Sequence, residues 1–413
     1  MPRVLVVLTS LFPLGPGEPF FAEELAQIHQ AFERVILVPT AARVDASARP
    51  VCSLPERCSV IPLPLAEGKA RWAALARLPA DALGDLASEA RRCTTLAHWR
   101  VLLAFVARGT DLRRRLAAAL QAERLKAREL TLYSYWLDEG SYAIATYRRR
   151  HRATRAFSRA HAWDVYEERH DPPYLPLRDA ILRGLDRTLA VSSSARDALL
   201  KASSVAAAAI EVRYLGTRAG RPRVSPRLPG RLRILTLAFV TPIKQLELLV
   251  DALARLPDIP VEWHHVGGGP GEAALQDRAR RGLGPPGSSV AHFHGTKTAE
   301  QLRDFLDATD LDLLVSCSRH EGLPVSMMEA CSYAIPILAP AVGGVGEIVH
   351  DGENGFLLPA PLRVEELALA LRRAAMTPPA RWIALREAAL QTWSQRFRAD
   401  VNYPALAHVL AGS

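Results

Sequence analysis

The residues most suited to chemistry lie in the segment EGLPVSMME, in which two glutamates, Glu321 and Glu329, flank a predicted change from loop to helix. The apolar run LDLLVS before this segment predicts a buried strand, and MMEACSYA has helical spacing, with Pro324 placed for a first helical turn. In an open α/β sheet, ligands bind beyond the carboxyl ends of the strands, where helix N-termini point at them. The segment is therefore a candidate ligand site.

The chemistry expected of this segment is recognition of an elongated ligand that carries phosphates and hydroxyls. The backbone N–H groups of Gly322, Leu323 and Val325 would meet a diphosphate, helped by the helix dipole. Glu321 would hold a sugar hydroxyl and Glu329, one to two turns inside the helix, a ribose hydroxyl. Spacing alone is equally compatible with an acidic helix N-terminus that the dipole stabilises.

Composition indicates a folded protein with anionic partners. At 413 residues, two domains are expected, and 49% apolar with 23% charged residues argues against disorder. The formal charge of +9 favours phosphates, nucleic acid or an acidic membrane surface. Five scattered cysteines without a C-x-x-C pair indicate reduced thiols, and no run approaches the ~20 apolar residues of a membrane span. A cytoplasmic protein is expected, and whether it associates with the inner face of the membrane is left open.

The elements that must position these residues alternate between strand and helix. Strands are predicted at Val4–Leu8, Val35–Val38, Thr131–Tyr135, Thr154–Ala160, Arg187–Ser192, Ile234–Ala238, Val261–Val266, Val290–Phe293, Leu313–Ser316 and Ile335–Ala339, with a further strand after DGENG. Residues 66–128 have alanine, leucine and arginine at helical spacing and predict amphipathic helices. The Pro- and Arg-rich stretch 216–231 is a linker candidate. The fold class is α/β, with a doubly wound domain in each half.

Several motifs in fixed order resemble the large glycosyltransferase family of GT-B fold known as family 4, especially its exopolysaccharide-type members, such as those that build colanic acid. The matching segments are EGLPVSMMEA, GGVGEIV, DGENG, GPGEPFFAEEL, LYSYWL, RAHAWDVYEERHDPPYLPLR, VTPIKQLELLVDAL and HHVGGGP. The resemblance covers nearly the whole chain apart from residues 40–130. It implies two Rossmann-like doubly wound domains that face each other across a cleft.

The resemblance also implies a division of labour between domains. Residues 1–215, with the helical insertion at about 66–128, would bind the acceptor. Residues 232–392, after the linker, would bind the nucleotide-sugar donor, and the helix at 393–413 would cross back to the first domain.

Residue roles follow from the same resemblance. Glu321 would contact the donor sugar, Lys244 in TPIK would neutralise the donor phosphates, and His161 in RAHAWD would approach the donor sugar from the first domain. These three are the implied catalytic residues. The residues implied to bind the donor are Gly15, Gly17, Lys244, Gly322, Leu323, Pro324, Val325 and Glu329. Glycine in the Gly15–Gly17 loop would let the backbone approach the diphosphate, since it lacks a Cβ.

One departure from the family pattern concerns the phosphate contacts. Family members commonly carry an arginine two residues into the loop of G-R-L-x-P-x-K, and Phe239 stands there in this chain. The lysine is also followed by Gln245 rather than by glycine or arginine. Which cation replaces the arginine is left open.

The implied reaction moves a sugar from a UDP- or GDP-type donor to a hydroxyl of a glycan, lipid-linked or small-molecule acceptor, with retention. No metal ion and no tightly bound cofactor are expected, because Lys244 would supply the cation and no DxD pair occurs in a plausible donor loop. The alternatives are a catalytically degenerate subunit that binds nucleotide sugar or glycan, and a GT-B sugar-nucleotide epimerase.

Other polar clusters have two interpretations each. Asp164 and residues 166–169 would line the acceptor side or hold a loop by ion pairs, and Glu18 would contact the acceptor or cap a helix. The arginines at 113–115 and 148–152 would form a membrane-facing patch or a solvated helical face. Nucleic-acid binding is not expected, because no recognised module is present.

Overall fold

The chain forms two compact α/β units. The computed structural model describes residues 4–15, 18, 20–45, 47–227, 229–283 and 289–412. One unit comprises the N-terminal part of the chain through Tyr214 together with the residues from Asn402 onward, and the other comprises Leu215–Val401.

The first unit is built on a seven-stranded parallel sheet. Its elements are β1 (Val4–Thr9), α1 (Phe21–Ile28), β2 (Arg34–Pro39), β3 (Cys58–Val60), α2 (Gly68–Leu75), α3 (Ala80–Glu89), α4 (Leu96–Ala122), β4 (Leu130–Ser134), α5 (Glu139–Arg150), β5 (Arg155–Ala160), α6 (Arg178–Gly184), β6 (Arg187–Ala190), α7 (Ser193–Ala202) and β7 (Ile210–Val212). The strand order is β3-β2-β1-β4-β5-β6-β7. The direction of winding reverses between β1 and β4, which is where ligands bind in such sheets.

The strands of this sheet are confirmed where the sequence has continuous apolar runs. Every residue of β1, VLVVLT, is buried, because helices cover both faces of a parallel sheet. Two strands were not predicted, β3 and β7, since each has only three residues and lacks an apolar run.

Residues 66–128 form helices, as predicted, but not all of them are amphipathic. The longest, α4, has 27 residues, begins after its N-cap Thr95 and buries one side. A Cβ at Gly109 would lie 2.6 Å from the ring of Tyr142, so α4 and α5 pack closely there. By contrast, α2 buries none of its residues, and the amphipathic pattern expected for it is wrong.

The second unit has a six-stranded parallel sheet. Its elements are β8 (Leu232–Leu237), α8 (Leu246–Leu253), β9 (Val261–Val266), α9 (Glu272–Gly282), β10 (Val290–Phe293), α10 (Ala299–Ala308), β11 (Leu313–Val315), α11 (Val325–Ser332), β12 (Ile337–Pro340), β13 (Gly355–Leu358), α12 (Val364–Met376) and α13 (Pro379–Arg396). The order β10-β9-β8-β11-β12-β13 reverses between β8 and β11. This is the doubly wound order of a dinucleotide-binding fold.

The Pro- and Arg-rich stretch after Tyr214 packs on the second unit. Arg227 is buried there and donates hydrogen bonds to the carbonyls of Ala374, at 2.6 Å, and Ala375, at 3.1 Å. Its guanidinium also lies 4.3 Å from the centroid of the Trp382 ring. The stretch is therefore attached to α12 and α13 rather than extended through solvent.

The last helix, α14 (Ala399–Ala411), returns to the first unit. Its carbonyls at Leu410 and Val409 accept hydrogen bonds from Thr131 Oγ1 and Arg155 Nη2, each at 3.1 Å. These bonds attach the C-terminal helix to β4 and β5.

Candidate functional site

A lysine and a glutamate from two separate motifs meet at the switch point of the second unit. Lys244 ends a short 3₁₀ turn after β8, and Glu321 lies in the loop after β11. Lys244 Nζ is 2.5 Å from Glu321 Oε1, although the two residues are 77 positions apart in the chain. Their side chains are 25% and 13% exposed, so the pair is reachable by a ligand but partly shielded from water. The carboxyl edge of the sheet thus presents one cation and one carboxylate side by side.

The loops that carry this pair are tied to each other by their backbones. The N–H of Arg319 donates to the carbonyl of Ile243 at 2.8 Å, which joins the loop after β11 to the loop after β8. Gln245 then adopts a left-handed conformation (φ 45°) from which α8 begins. The position of Lys244 relative to Glu321 is therefore set by main-chain contacts as well as by charge.

A third loop, after β12, fits against the backbone of Glu321. Gly343 has a φ of +53°, and a Cβ added there would lie 1.9 Å from the carbonyl oxygen of Glu321. The N–H of Gly344 donates to the carbonyl of Gly322 at 2.7 Å. Only glycine permits this approach, so the segment AVGGVG holds the Glu321 loop in place.

The glycines of HHVGGGP serve close packing of two loops. A Cβ at Gly267 would lie 1.9 Å from the carbonyl oxygen of Ala238, and both Gly267 and Gly269 have positive φ. The N–H of Val240 donates to the carbonyl of Gly268 at 2.8 Å. These contacts shape the loop after β8 that leads to Lys244.

Helix α11 begins one residue later than predicted. Pro324 is its N-cap, with extended ψ of 115°, rather than a residue of its first turn, and Val325 is the first helical residue. Within the described residues, the N–H groups of Gly322, Leu323 and Val325 donate to no backbone or side-chain acceptor. The start of α11 therefore offers a set of unpaired donors beside the Lys244–Glu321 pair.

Glu329 lies in the second turn of α11 and differs from a glutamate that a helix dipole stabilises. Burial raises its pKa to about 7, and Arg303 only partly offsets this effect. Its carboxylate makes no hydrogen bond or ion pair with the described residues. A helix dipole lowers the pKa of an acid near the N-terminus, so at Glu329 the effect of burial is the larger one.

Phe239, where the family pattern has an arginine, is 58% exposed and carries no charge. Arg319 is exposed, and its N–H donates to the carbonyl of Ile243, the residue before Lys244. Sequence reasoning did not single out Arg319, because it belongs to a different motif and only the fold joins the two loops.

In the first unit, Glu18 holds the loop after β1. Its carboxylate is 1% exposed and accepts N–H donors from Ser10, from Leu11 at 2.9 Å and from Phe12 at 2.8 Å. Trp136 Nε1 donates to it as well, at 2.8 Å. Glu18 therefore holds the loop after β1 and does not cap α1, so the helix-cap interpretation is wrong, whereas contact with an acceptor stays a prediction.

The predicted glycine loop is only partly described. Gly15 is buried, and a Cβ added there would lie 3.3 Å from Leu11 Cβ. Gly17 lies outside the described residues. The predicted diphosphate contact of both glycines stays a prediction.

His161 follows directly after β5 and is buried. Burial lowers its pKa to about 3, and the Arg159 charge adds to this effect. Its ring packs against Tyr135 and Trp136, with centroid separations of 5.0 and 4.7 Å. His161 Nε2 has no hydrogen-bond partner among the described residues. The side chain is thus a neutral imidazole with one nitrogen left for a further hydrogen bond.

The acidic residues after His161 hold their own loop. Asp164 is buried and accepts the N–H of His161 at 2.6 Å and that of Leu137 at 2.7 Å. Burial raises the pKa of Asp164 to about 7, with Arg178 acting against it. Glu167 forms an ion pair with Arg92. For Asp164 and Glu167 the loop-holding interpretation is therefore correct.

Most arginines of the predicted membrane-facing patch are paired with acidic residues of the same unit. The observed pairs are Arg113–Asp81, Arg114–Asp111, Arg115–Asp111, Arg148–Asp186, Arg149–Asp85 and Arg150–Asp81. The six arginines share four aspartates, so these pairs reduce the positive charge of the two segments without cancelling it, and contact with a membrane stays untested. None of the helices in the described ranges is both long and apolar enough to span a bilayer.

The second unit contains a segment that matches a known protein family. Residues 231–376 match the family model of glycosyl transferases group 1. The putative colanic acid biosynthesis glycosyltransferase WcaL of Escherichia coli K12 is 29% identical over 163 residues, which is 38% of either chain. The D-inositol 3-phosphate glycosyltransferase of Rhodococcus erythropolis is 31% identical over 158 residues, 36% of this chain and 35% of its own. These alignments span just over a third of the relatives' length.

Comparison with solved structures covers both units. Anabaena Alr3699/HepE, solved in complex with UDP, has a TM-score of 0.64 and 16% identity over the whole of both chains. Sucrose-phosphate synthase from Thermosynechococcus elongatus has a TM-score of 0.71 and 17% identity over 98% of each chain. At this identity the likeness concerns the fold. The chain therefore has the GT-B fold predicted from its motifs, and its residues 231–376 resemble the glycosyl transferases group 1 family.

Proposed function

We propose that this protein is a glycosyltransferase that moves a sugar from a UDP- or GDP-type nucleotide sugar to a hydroxyl of a glycan, lipid-linked or small-molecule acceptor, with retention of the anomeric configuration. The observation that carries the proposal is the Lys244–Glu321 pair, 2.5 Å apart, beside the unpaired N–H groups that begin α11. The similarity to the glycosyltransferase WcaL and to the D-inositol 3-phosphate glycosyltransferase supports the same class of reaction, as does the UDP-glucose bound to HepE.

The charges suit cleavage of a sugar–diphosphate bond. This cleavage places negative charge on the leaving phosphate oxygen, and a nearby cation and helix N-terminus stabilise it as it develops. In the proposed complex, Lys244 turns from Glu321 to the diphosphate, and Glu321 accepts hydroxyl groups of the donor sugar. Gly322, Leu323, Pro324 and Val325 supply the backbone around the phosphates.

Glu329 is proposed to bind the ribose. Its carboxylate lacks a partner among the described residues and is held half-buried, with a raised pKa of about 7. Two ribose hydroxyls would donate to it and stabilise its ionised form. Nucleotide binding would therefore be accompanied by proton release near neutral pH.

Two further residues complete the proposal. Arg319 is exposed and attached by its backbone to the Lys244 loop, so it is proposed as the cation that replaces the arginine missing at Phe239. His161 is also proposed to take part in the reaction, because Nε2 of its neutral imidazole has no hydrogen-bond partner among the described residues. Neither side chain requires a metal ion, and the proposed reaction proceeds in the presence of EDTA.

The direct test is a panel of UDP-, GDP- and dTDP-sugars, with thermal shift for binding and release of the free nucleotide for turnover. Lys244→Ala and Glu321→Gln should each lower turnover by about 10²- to 10³-fold, as loss of one charge-stabilising group does in other enzymes. Lys201→Ala is the matched control, because Lys201 is an exposed lysine at the end of α7. Turnover that persists in both site variants would remove the catalytic assignment. NMR of the product anomer tests retention.

The second candidate is a degenerate subunit that binds nucleotide sugar without turnover. The observation that favours it is Phe239, because this exposed aromatic side chain cannot neutralise a phosphate. The same panel of nucleotide sugars distinguishes an active transferase from a degenerate subunit. A thermal shift without nucleotide release, with or without added glycosides, indicates a subunit that only binds the nucleotide sugar. Phe239→Arg would then be expected to raise nucleotide affinity.

A further inference from the structure

Trp163 is an exposed tryptophan in the loop that follows β5, two residues after His161. Its side chain is 54% exposed. Tryptophan is large and apolar, and burying its ring is favourable, so a well-exposed ring at a functional edge calls for an explanation. This loop starts at the carboxyl end of β5, the edge of the sheet at which α/β proteins bind ligands.

The indole ring is held in a fixed position without being covered. The guanidinium of Arg169 lies over one face, 5.7 Å from the ring centroid. The His170 ring is tilted by 55° against the indole, with centroids 4.5 Å apart, and His170 Nε2 lies 2.6 Å from the carbonyl oxygen of Trp163. These contacts restrict the indole and leave 54% of the side chain exposed, so ordering it on ligand binding costs little further entropy.

The residue that follows anchors the loop itself. Asp164 is buried and accepts two backbone N–H groups, from His161 and Leu137, so the backbone at Trp163 cannot shift freely. Two exposed residues of the same loop, Glu168 and Asp171, are charged. A fixed and exposed indole in a loop with charged residues suits a ligand that is apolar on one face and rich in hydroxyls at its edges.

We propose that Trp163 is the stacking platform for a sugar ring of the acceptor. One face of a pyranose presents C–H groups with partial positive charge, which pack on the negative face of the indole, while its hydroxyls point away from the ring. The sugar takes the part of the indole that Arg169 and His170 leave exposed. The assignment rests on the proposed function and narrows it: the acceptor is a glycan or a lipid-linked sugar, and a small molecule without a sugar ring is excluded.

Fluorine NMR tests the platform without requiring turnover. The full chain is labelled with 5-fluorotryptophan, and the Trp163 signal is assigned from the Trp163→Phe variant. The probes are methyl β-D-glucoside, methyl β-D-galactoside and methyl α-D-mannoside, each with its n-octyl counterpart. Trp72 is the matched internal control, since it is 56% exposed and has Arg71 over its ring at 5.4 Å.

The expected result is a saturable shift of the Trp163 signal with at least one sugar and no shift at Trp72. Methyl and octyl glycosides that act alike indicate a glycan acceptor, and a clear preference for the octyl form indicates a lipid-linked one; both support the platform. Equal shifts at Trp163 and Trp72, or none with any probe, would overturn it.

Steady-state kinetics distinguishes a role of Trp163 in sugar binding from a role in supporting the loop. With the most effective glycoside as acceptor, Trp163→Ala should raise the acceptor KM about tenfold, and Trp163→Phe should restore most of the loss, because phenylalanine keeps an aromatic face for the sugar. Trp72→Ala should leave the acceptor KM unchanged. A fall in kcat and Tm with no change in acceptor KM would show a structural role and reject the platform. A wild-type chain that binds no nucleotide sugar would reject the proposed function, while the NMR result would stand.

Discussion

Replacing Glu329 by glutamine should make the protein more stable and less able to bind its nucleotide. Burial raises the pKa of this carboxyl from 4.5 to about 7, so the folded chain holds the proton that the unfolded chain loses between these two values. Stability therefore falls as the pH rises from about 4.5 to 7 and stays lower above that range. Glutamine has nearly the same shape and no charge, so the Glu329→Gln variant should not lose stability over this pH range.

The size of the effect follows from the pKa shift. A difference from 4.5 to about 7 corresponds to about 3 kcal/mol at pH 8, at about 1.36 kcal/mol for each pKa unit. This is an upper value, because the side chain is half-buried and retains some solvent screening. At pH 5 the free energy of unfolding of the variant should exceed that of the wild type by less than about 1 kcal/mol, since the carboxyl is then protonated in the folded state.

Urea unfolding at pH 5 and pH 8 measures the stability change, with Glu353→Gln as the control at an exposed glutamate. Isothermal titration with UDP and GDP in two buffers of different ionisation enthalpy measures binding and proton release near pH 6.5. Glu329→Gln should bind about 10- to 100-fold more weakly, as expected for loss of hydrogen bonds to a charged group, and should release no proton. A variant that is no more stable at pH 8, or that binds with unchanged affinity, would refute the reasoning.

Three further predictions concern loops that follow strands in the two units. Gly343→Ala should destabilise the second unit by about 3 kcal/mol and weaken donor binding, because the added Cβ lies 1.9 Å from the Glu321 carbonyl, whereas Gly346→Ala has open space and should be neutral in urea unfolding. Glu18→Gln should cost about 2 kcal/mol in the same assay, because the weaker acceptor leaves buried N–H donors poorly paired. Lys244→Met should raise the donor KM, with the largest effect at low ionic strength, since its contact with the diphosphate is electrostatic.

For each of these three predictions, one experimental result would contradict it. Equal stabilities for Gly343→Ala and Gly346→Ala would mean that the loop after β12 does not hold Glu321. An unchanged unfolding midpoint for Glu18→Gln would mean that the loop after β1 keeps its shape without that charge. A donor KM for Lys244→Met that is unchanged at low salt would separate Lys244 from the phosphates.

The sequence by itself determined the alternation of elements and the candidate donor residues. Continuous apolar runs such as VLVVLT favour buried strands covered on both faces, because they are short and rich in β-branched valine, and these strands are predicted with small errors at their ends. The segment around Glu321 was recognisable because a strand, a loop and a helix start follow each other within a few residues. Local patterns of this kind need no knowledge of the fold.

Only the tertiary structure decided which separate loops meet and what each charge does. The contact of Lys244 with Glu321 spans 77 residues and arises because β8 and β11 are neighbours at the reversal of the sheet. The burial of Glu18 by loop N–H groups and the raised pKa of Glu329 depend on surrounding atoms that are distant in sequence. The same holds for Trp163, since its exposure and its contact with Arg169 are properties of a folded loop. Residue type and spacing predict what a side chain is able to do, whereas partners and solvent access, which set its free energy, exist only in the folded chain.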